Sequence, residues 1–539
     1  PNFSYRGISL PDQMGGRHCL GATLQLIRVA EGINEMRSTS KNCILALLDC
    51  SKAFDRISRP QLLHKLSMMG ISGHLWNLIA AFLTERTHRT KVDGIQSDSL
   101  QPDNGSPQGS SLSMTIFLLY FNDSVHETPS IKAGLFVDDA ALYGHANSMP
   151  KLIKEFNSSF NLIYNWSLAN AVIFDPAKFN LLDLTPGRPS RSTKKITFGT
   201  ITHKFVPVAT YLGMKFDRKF NFKRMIEERL RLAKHQIWRL QNHWSWKTGS
   251  NPKTLINIFK TYILSVLQYS AAIWIFRMRN ITATGSTSNP SYGTLWKEIS
   301  QFYVHCIKRS LGLHQSTSNI AALVIGGLWP LDFYLAFQAA VWLYKIHNNL
   351  AGTALYEQYL KLRSSPNWSS TLFYHPAYEF IRQMAHHEEN LLTLSTLQRF
   401  KSVLRLRIQQ VLSQIWVQSD EAQWTKTLIT SWPTSAPPST MLNKAASVKH
   451  YQMISGHFSC NSFLCHSKQT DSPKCRHGCD QEETIAHILL QCPHFSSHRS
   501  KFLTELKKLG LEPSIKTILM NNKITMATQR FLDQIDIGG

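Results

Sequence analysis

The chain has 539 residues, with 59 Lys and Arg against 35 Asp and Glu and a formal net charge of +24. That length calls for two or more domains, and a composition of 43% hydrophobic and 11% aromatic residues excludes a largely disordered chain. Positive charge spread along the whole sequence points to a polyanionic partner, held in a nucleic-acid groove rather than at a membrane patch. The nine cysteines follow no regular framework, which suits a reducing compartment, nucleus or cytoplasm.

No uninterrupted apolar run reaches the ~18 residues of a membrane span. The nearest, from Tyr262 to Phe276, is broken by Gln268, flanked by Lys260 and Arg277, and reads as one buried helix. No secretory signal opens the sequence, which starts on Pro1 rather than Met, as a fragment would.

In chain order, the first ~215 residues alternate apolar strand-like runs with helical patterns, as a mixed domain would. Cys43 to Leu48 and Gly134 to Val137 read as buried strands, the second ending abruptly at Asp138 and Asp139. From about Phe216 to Lys345 the pattern turns helical and basic. Lys219, Lys223, Arg224, Arg229, Arg231, Lys234 and Arg239 crowd a stretch that also carries Trp238, Trp244 and Trp246. Phe400, Val403, Leu404, Ile408, Val411, Leu412 and Ile415 then recur at helical spacing. The sequence WPTSAPPST, beginning at Trp432, reads as a linker before a small Cys/His-rich segment.

Three segments carry chemistry. LLDCSKAFDRI, from Leu47, delivers Asp49 at the exit of an apolar strand, with Phe54 and Asp55 just beyond. GSPQGSSLS, from Gly105, is a turn-rich loop that leads into an apolar helix, and FVDDAALY, from Phe136, sets two carboxylates between apolar runs. A lone Asp pair is ordinarily a turn or a cap. Buried strands ending in carboxylates need a counter-charge, for which a divalent cation is suited. Near the C-terminus, Cys475, Cys479, His487 and Cys492 form a Cys-x3-Cys-x7-His-x4-Cys set. Three thiolates and an imidazole suit tetrahedral Zn²⁺; His477, Cys460 and Cys465 are alternative ligands, and scattered buried cysteines the plain reading.

In this order the three segments resemble the palm of reverse transcriptases, most closely those of non-LTR (LINE-type) retrotransposons. The resemblance extends to Asp175-Pro176-Ala177-Lys178 and to the hairpin around Tyr211-Leu212-Gly213, and covers about residues 1–220. It implies an α+β right-hand polymerase with fingers and palm over 1–215 and a helical, basic thumb and start of connection over 216–345. A helical connection over 346–445, ending in the linker, and a zinc-knuckle-like domain over 446–539 would follow. The 346–445 region holds a single Asp, Asp420, too few carboxylates for a two-metal nuclease.

By that resemblance Asp49, Asp138 and Asp139 are the catalytic carboxylates and hold Mg²⁺ or Mn²⁺. Phe54 matches the residue that excludes a 2′-hydroxyl, with an ordinary core aromatic as the alternative. Pro107, Gln108 and Gly109 match the loop against template base and incoming nucleotide. Lys178 matches a lysine facing the leaving pyrophosphate, Asp55 is structural, and Tyr211, Leu212 and Gly213 match the primer grip. Arg6, in YRGISL, matches a triphosphate-gripping arginine. QMGGR, from Gln13, resembles a segment that normally follows a few dozen residues later, so a fingers insert is expected to be missing around Pro11 and Asp12. The implied activity is RNA-directed DNA polymerisation, with element RNA template, DNA primer or target and dNTPs as partners. Neither membrane nor organic cofactor is implied. The rival is a nucleic-acid-binding remnant unable to polymerise; the terminal Cys/His segment and the YLG hairpin disfavour group II intron maturases and telomerase.

Overall fold

The structure is a computed structural model that describes residues 10, 12–39, 42–125, 130–187, 195–244, 250–385, 390–436 and 444–534. Arg6, Pro11 and Trp246 lie outside the described residues. Two compact units divide the chain: Pro1–Ile226 with Ala272–Trp274 and Trp342–Tyr378, and Glu227–Ala271 with Ile275–Val341 and Glu379–Gly539.

The first unit runs α1 (Ala22–Thr39), β1 (Asn42–Leu48), α2 (Arg59–Met68), α3 (Gly73–Leu83), a hairpin of β2 (Lys91–Val92) and β3 (Ile95–Gln96), and α4 (Ser111–Phe121). It continues with β4 (Ile131–Phe136), β5 (Asp139–Ala146), α5 (Met149–Ala169) and β6 (Asn180–Asp183). Two further hairpins follow, β7 (Lys195–Phe198) with β8 (Ile201–Lys204) and β9 (Val208–Tyr211) with β10 (Met214–Asp217). The central sheet has the order β4-β5-β1-β6 and is antiparallel throughout, with Leu48 opposite Ala140 and Phe136 opposite Asp139.

β1 is almost wholly apolar because both its faces are covered. Ile44, Ala46 and Leu48 join one core with Phe117 and Phe121 of α4 and Phe156, Phe160 and Ile163 of α5. α1 packs against β1, β4 and β5, with Gln25 and Val29 over Gly134. Glu31 of α1 is 1% exposed. It accepts backbone N–H bonds from Leu372, Phe373 and Tyr374 at 3.1, 2.6 and 3.3 Å, where the helix Tyr374–Met384 begins. A carboxylate aimed at unpaired helix N–H groups is stabilised by those bonds and by the helix dipole.

The second unit is mainly helical. The Tyr262–Phe276 run is not one helix: the segments Pro252–Gln268 and Ala271–Met278 meet at a 76° bend. Ser270 sits at the break with φ 53°, in the left-handed region. Among the described residues no single helix is long and apolar enough to cross a membrane. The helix Leu397–Gln418 buries Phe400, Leu404, Ile408, Val411, Leu412 and Trp416. Trp432, read as the start of a linker, is instead 1% exposed. Its N–H donates to Ser413 Oγ and its carbonyl accepts from Gln409; residues 437–443 of that stretch lie outside the described residues. In the basic stretch Trp238 is exposed, whereas Trp244 is buried and donates Nε1–H to Ser310 Oγ at 3.1 Å.

Candidate active site and metal centre

Strand pairing brings the carboxylates together. β1 and β5 are in register up to Leu48 and Ala140. Asp49 therefore leaves the sheet beside Asp139, and Asp138 lies in the two-residue turn that joins β4 to β5. Burial raises Asp138 above the ordinary carboxylate range, and the Asp49 charge adds to this. Asp139 is pushed up to about 6, by burial first and then by Asp138 and Asp49, with Lys178 opposing. Below them Cys50 is buried, its thiol raised well above its usual value by burial and by the same three carboxylates.

Lys178 Nζ lies 3.0 Å from Asp49 Oδ2. Its position follows from backbone pairing: Asp175 N–H donates to Asp49 O and Ser51 N–H to Ile173 O. The Asp175 carboxylate then accepts from Ala177 N–H in a tight turn that brings Lys178 round. The hydrogen bond and charge of Asp49 raise the Lys178 ammonium above its usual value.

The loop before α4 is stitched to the Phe54 turn, with Gly105 N–H donating to Ile57 O and Ser106 N–H to Phe54 O. Gly105 has φ +83°, and a Cβ there would lie 2.7 Å from Asp55 O, so no side chain fits. Gln108 donates to Asp55 Oδ1 at 2.7 Å, which gives Asp55 its structural partner. Ser113 Oγ donates to Pro107 O, and Ser110 caps α4. Gln108 and Gly109 are left exposed and Pro107 half-buried. Phe54 is half-buried, its ring stacked on Phe117 at 4.6 Å.

Tyr211 does not offer its side chain to a primer. It is 3% exposed, accepts from Gln25 Nε2 at 2.9 Å and donates to Gly134 O at 3.3 Å. It anchors the β9–β10 hairpin to the sheet, and Leu212 and Gly213 form the tip.

In the second unit Cys475, Cys479, His487 and Cys492 present donor atoms that all lie within 4.8 Å of one another. The Sγ of Cys492 lies 3.9 Å from that of Cys475 and 3.7 Å from that of Cys479. Sulfurs sharing a tetrahedral Zn²⁺ at ~2.3 Å would be about 3.8 Å apart. His487 Nδ1 bonds Gln481 Oε1 at 2.9 Å, while its Nε2 is buried and free of any hydrogen bond. Gln481 is the functional neighbour that sequence reasoning missed, and orienting a ligand's far nitrogen is the usual task of such a group. Cys460, Cys465 and His477 stand outside the cluster, His477 stacked on His494 at 4.0 Å. Glu483, 1% exposed, braces the loop. Its carboxylate lies 2.8 Å from the Arg476 guanidinium and accepts the N–H groups of Asn461 and Arg476.

Residues 5–215 match the family described as "Reverse transcriptase (RNA-dependent DNA polymerase)". The chain is 24% identical over 273 residues to the "RNA-directed DNA polymerase from mobile element jockey" of Drosophila melanogaster and 22% identical to that of Drosophila funebris. Each alignment covers 49% of this chain and 29% of the relative, so the chain spans less than a third of those proteins. Among solved structures, telomerase from Candida tropicalis in complex with a fragment of telomeric RNA aligns with TM-score 0.30 and 11% identity, over 65% of this chain and 53% of that one.

Proposed function

We propose that this chain, whose residues 5–215 match the reverse transcriptase family model, is an RNA-directed DNA polymerase of right-hand fold and of the non-LTR retrotransposon kind. It would add dNTPs to a primer 3′-hydroxyl on the element's RNA template. The observation that carries this reading is the gathering of Asp49, Asp138 and Asp139 at one end of the central sheet, with Asp138 and Asp139 raised by burial and by the Asp49 charge and Lys178 as counter-charge.

That donor set suits a hard divalent cation, because three carboxylates act on one another electrostatically at one end of the sheet and burial raises Asp138 and Asp139. Asp49 and Asp138 would be the direct ligands, and Mg²⁺ or Mn²⁺ held there would supply Lewis acidity for the 3′-hydroxyl and charge for the departing pyrophosphate. Lys178, whose Nζ lies 3.0 Å from Asp49, would neutralise or protonate that pyrophosphate. Gln108 and Gly109 would lie against the template base and incoming nucleotide, Phe54 beside the sugar, and Leu212 and Gly213 against the primer. The +24 charge would hold the nucleic-acid backbone.

Cys475, Cys479, His487 and Cys492 would hold one structural Zn²⁺ in a knuckle that grips RNA or DNA; the free, buried Nε2 of His487 supports this. Thiolate ligands need a reducing setting, in keeping with work in nucleus and cytoplasm.

The test is primer extension on poly(rA)/oligo(dT) at millimolar dNTP, wild type against Asp49→Ala, with RNA affinity measured in parallel. Extension should require Mg²⁺ or Mn²⁺ and vanish in the variant while RNA affinity stays nearly intact. No extension by wild type, or RNA binding lost in step with activity, would overturn the reading.

A further inference from the structure

We infer that Gln13 is the positioning residue of the aspartate-pair turn: its side-chain amide clamps Val137 and thereby sets where Asp138 points. This rests on the polymerase reading above. Gln13 is fully buried at 0% exposure. Its Nε2 donates to Val137 O at 3.0 Å and its Oε1 accepts Val137 N–H at 2.8 Å and Gly15 N–H at 2.9 Å. Only one orientation of the amide satisfies all three bonds, so its donor and acceptor ends are fixed.

The clamp acts on a backbone that would otherwise resist its conformation. Val137 has φ 60°, and a β-branched residue in the left-handed region is strained. In a two-residue hairpin turn that position favours Gly. The neighbouring backbone is braced as well, since Met14 N–H donates to Leu135 O and Leu135 N–H to Asp12 O. Gly15 lies so close that a Cβ there would sit 2.5 Å from Val137 N. Asp12 is in turn fixed by Arg28 at 2.5 Å. The segment from Asp12 to Gly15 thus forms an added edge along β4, and Gln13 is its residue whose side chain hydrogen-bonds the turn.

Asp138 is bonded directly to the clamped residue. Releasing Val137 would let the turn relax toward negative φ and swing the Asp138 carboxylate away from Asp49 and Asp139. The cost would fall on cation binding rather than on RNA binding.

The experiment titrates Mn²⁺ onto the full, zinc-loaded chain by electron paramagnetic resonance of the free ion, with Asp138→Asn defining the share of binding that belongs to the carboxylates. Gln13→Met keeps the volume and removes all three bonds. It should weaken that binding about five- to tenfold, the scale of one lost buried hydrogen-bond partner, with RNA affinity and zinc content unchanged. Val137→Gly adopts positive φ without strain, so in the Gln13→Met background it should restore most of the Mn²⁺ affinity, which a mere packing role for Gln13 would not allow. If Gln13→Met fails to fold, Gln13→Asn keeps a neutral amide that is one methylene too short to hold both Val137 bonds, and a smaller loss is expected. Wild-type Mn²⁺ affinity in a folded Gln13 variant, or no rescue by Val137→Gly, would overturn the assignment of Gln13. Wild-type protein without Asp138-dependent Mn²⁺ binding would overturn the polymerase reading itself.

Discussion

Replacing Asp139 by Asn should stabilise the protein in the absence of Mg²⁺ and reduce its further stabilisation by Mg²⁺. Asp139 sits at about 6 against an ordinary 3.8, because burial and the charges of Asp138 and Asp49 oppose its ionisation. Moved that far, an ionised carboxylate carries up to about 3 kcal/mol of penalty, which solvent screening of a half-buried group lowers to about 1–2 kcal/mol. The folded value lies above the unfolded one, so the folded chain binds the proton more tightly. Stability therefore falls as pH rises from about 4 through about 6 and stays lowered above that. Asn carries no such penalty. In thermal melts without Mg²⁺ at pH 7.5, the variant should melt about 2–8 °C higher than wild type, at about 2–4 °C per kcal/mol. That gap should roughly halve by pH 5 and nearly close below about pH 4. Adding Mg²⁺ should raise the wild type, as a ligand of the folded state does, and raise the variant less, because Asp49 and Asp138 remain but the third charge is gone. A variant less stable than wild type at pH 7.5, or a gap independent of pH, would refute the claim that this carboxylate is held at a cost for the sake of a cation.

Phe54→Ala should raise ribonucleotide incorporation relative to deoxyribonucleotide, because volume beside the sugar is vacated; an unchanged ratio in an active variant would remove Phe54 from that role. Since Phe54 is only half-buried against Phe117, the change should cost about 1–2 kcal/mol, less than the ~3–5 of a fully buried ring. Metal analysis should find one Zn²⁺ per chain, lost in Cys479→Ser and kept in Cys460→Ser, and zinc retained in the first variant would redirect the site. The affinity for RNA should fall steeply with salt, with a slope near 0.7–0.9 for each phosphate neutralised. The Michaelis constant for dNTP should be raised, and a fingers segment from a related element inserted between Leu10 and Gln13 should lower it; robust extension by the unmodified chain at micromolar dNTP would refute this.

Much of the palm was legible because its signals are local. The apolar run ending at Leu48 becomes β1 since both faces are covered, and the break before Asp139 becomes the Val137–Asp138 turn between β4 and β5. The Cys/His spacing was legible for the same reason: Cys492 N–H donates to His487 O across one helical turn, which brings the two ligands round together. What escaped was non-local or backbone-encoded. A bend at Ser270 leaves no mark in an apolar run, because nothing in the residue type announces its positive φ. Trp416 rather than Ile415 points inward because the helix is long enough for its facing stripe to drift. Tyr211 was read as a primer contact, but its partners Gln25 and Gly134 come from distant elements. The pairing of Glu31 with residues 372–374 likewise spans too much chain for any periodicity to register it.

The QMGGR segment shows how one stretch of chain can lose a second task to its first. Gln13 is consumed by the Val137 clamp, Met14 is paired to β4, and Gly15 is pressed against the turn. Arg17, the cation that a fingers role would offer to a triphosphate, donates to Leu10 O at 2.5 Å and to Gln13 O at 3.0 Å. Burial lowers its pKa. Both bonds use Nη1, so meeting a phosphate through that nitrogen would break them, at about 1–3 kcal/mol each in a partly desolvated setting. Among the described residues around the carboxylates, Lys178 is the exposed cation in direct contact with one of them. In the polymerase reading, holding the Val137–Asp138 turn and capturing a nucleotide would draw on different residues. The first set is built into the edge of the palm sheet, so cation binding at the carboxylates can outlast weak nucleotide capture.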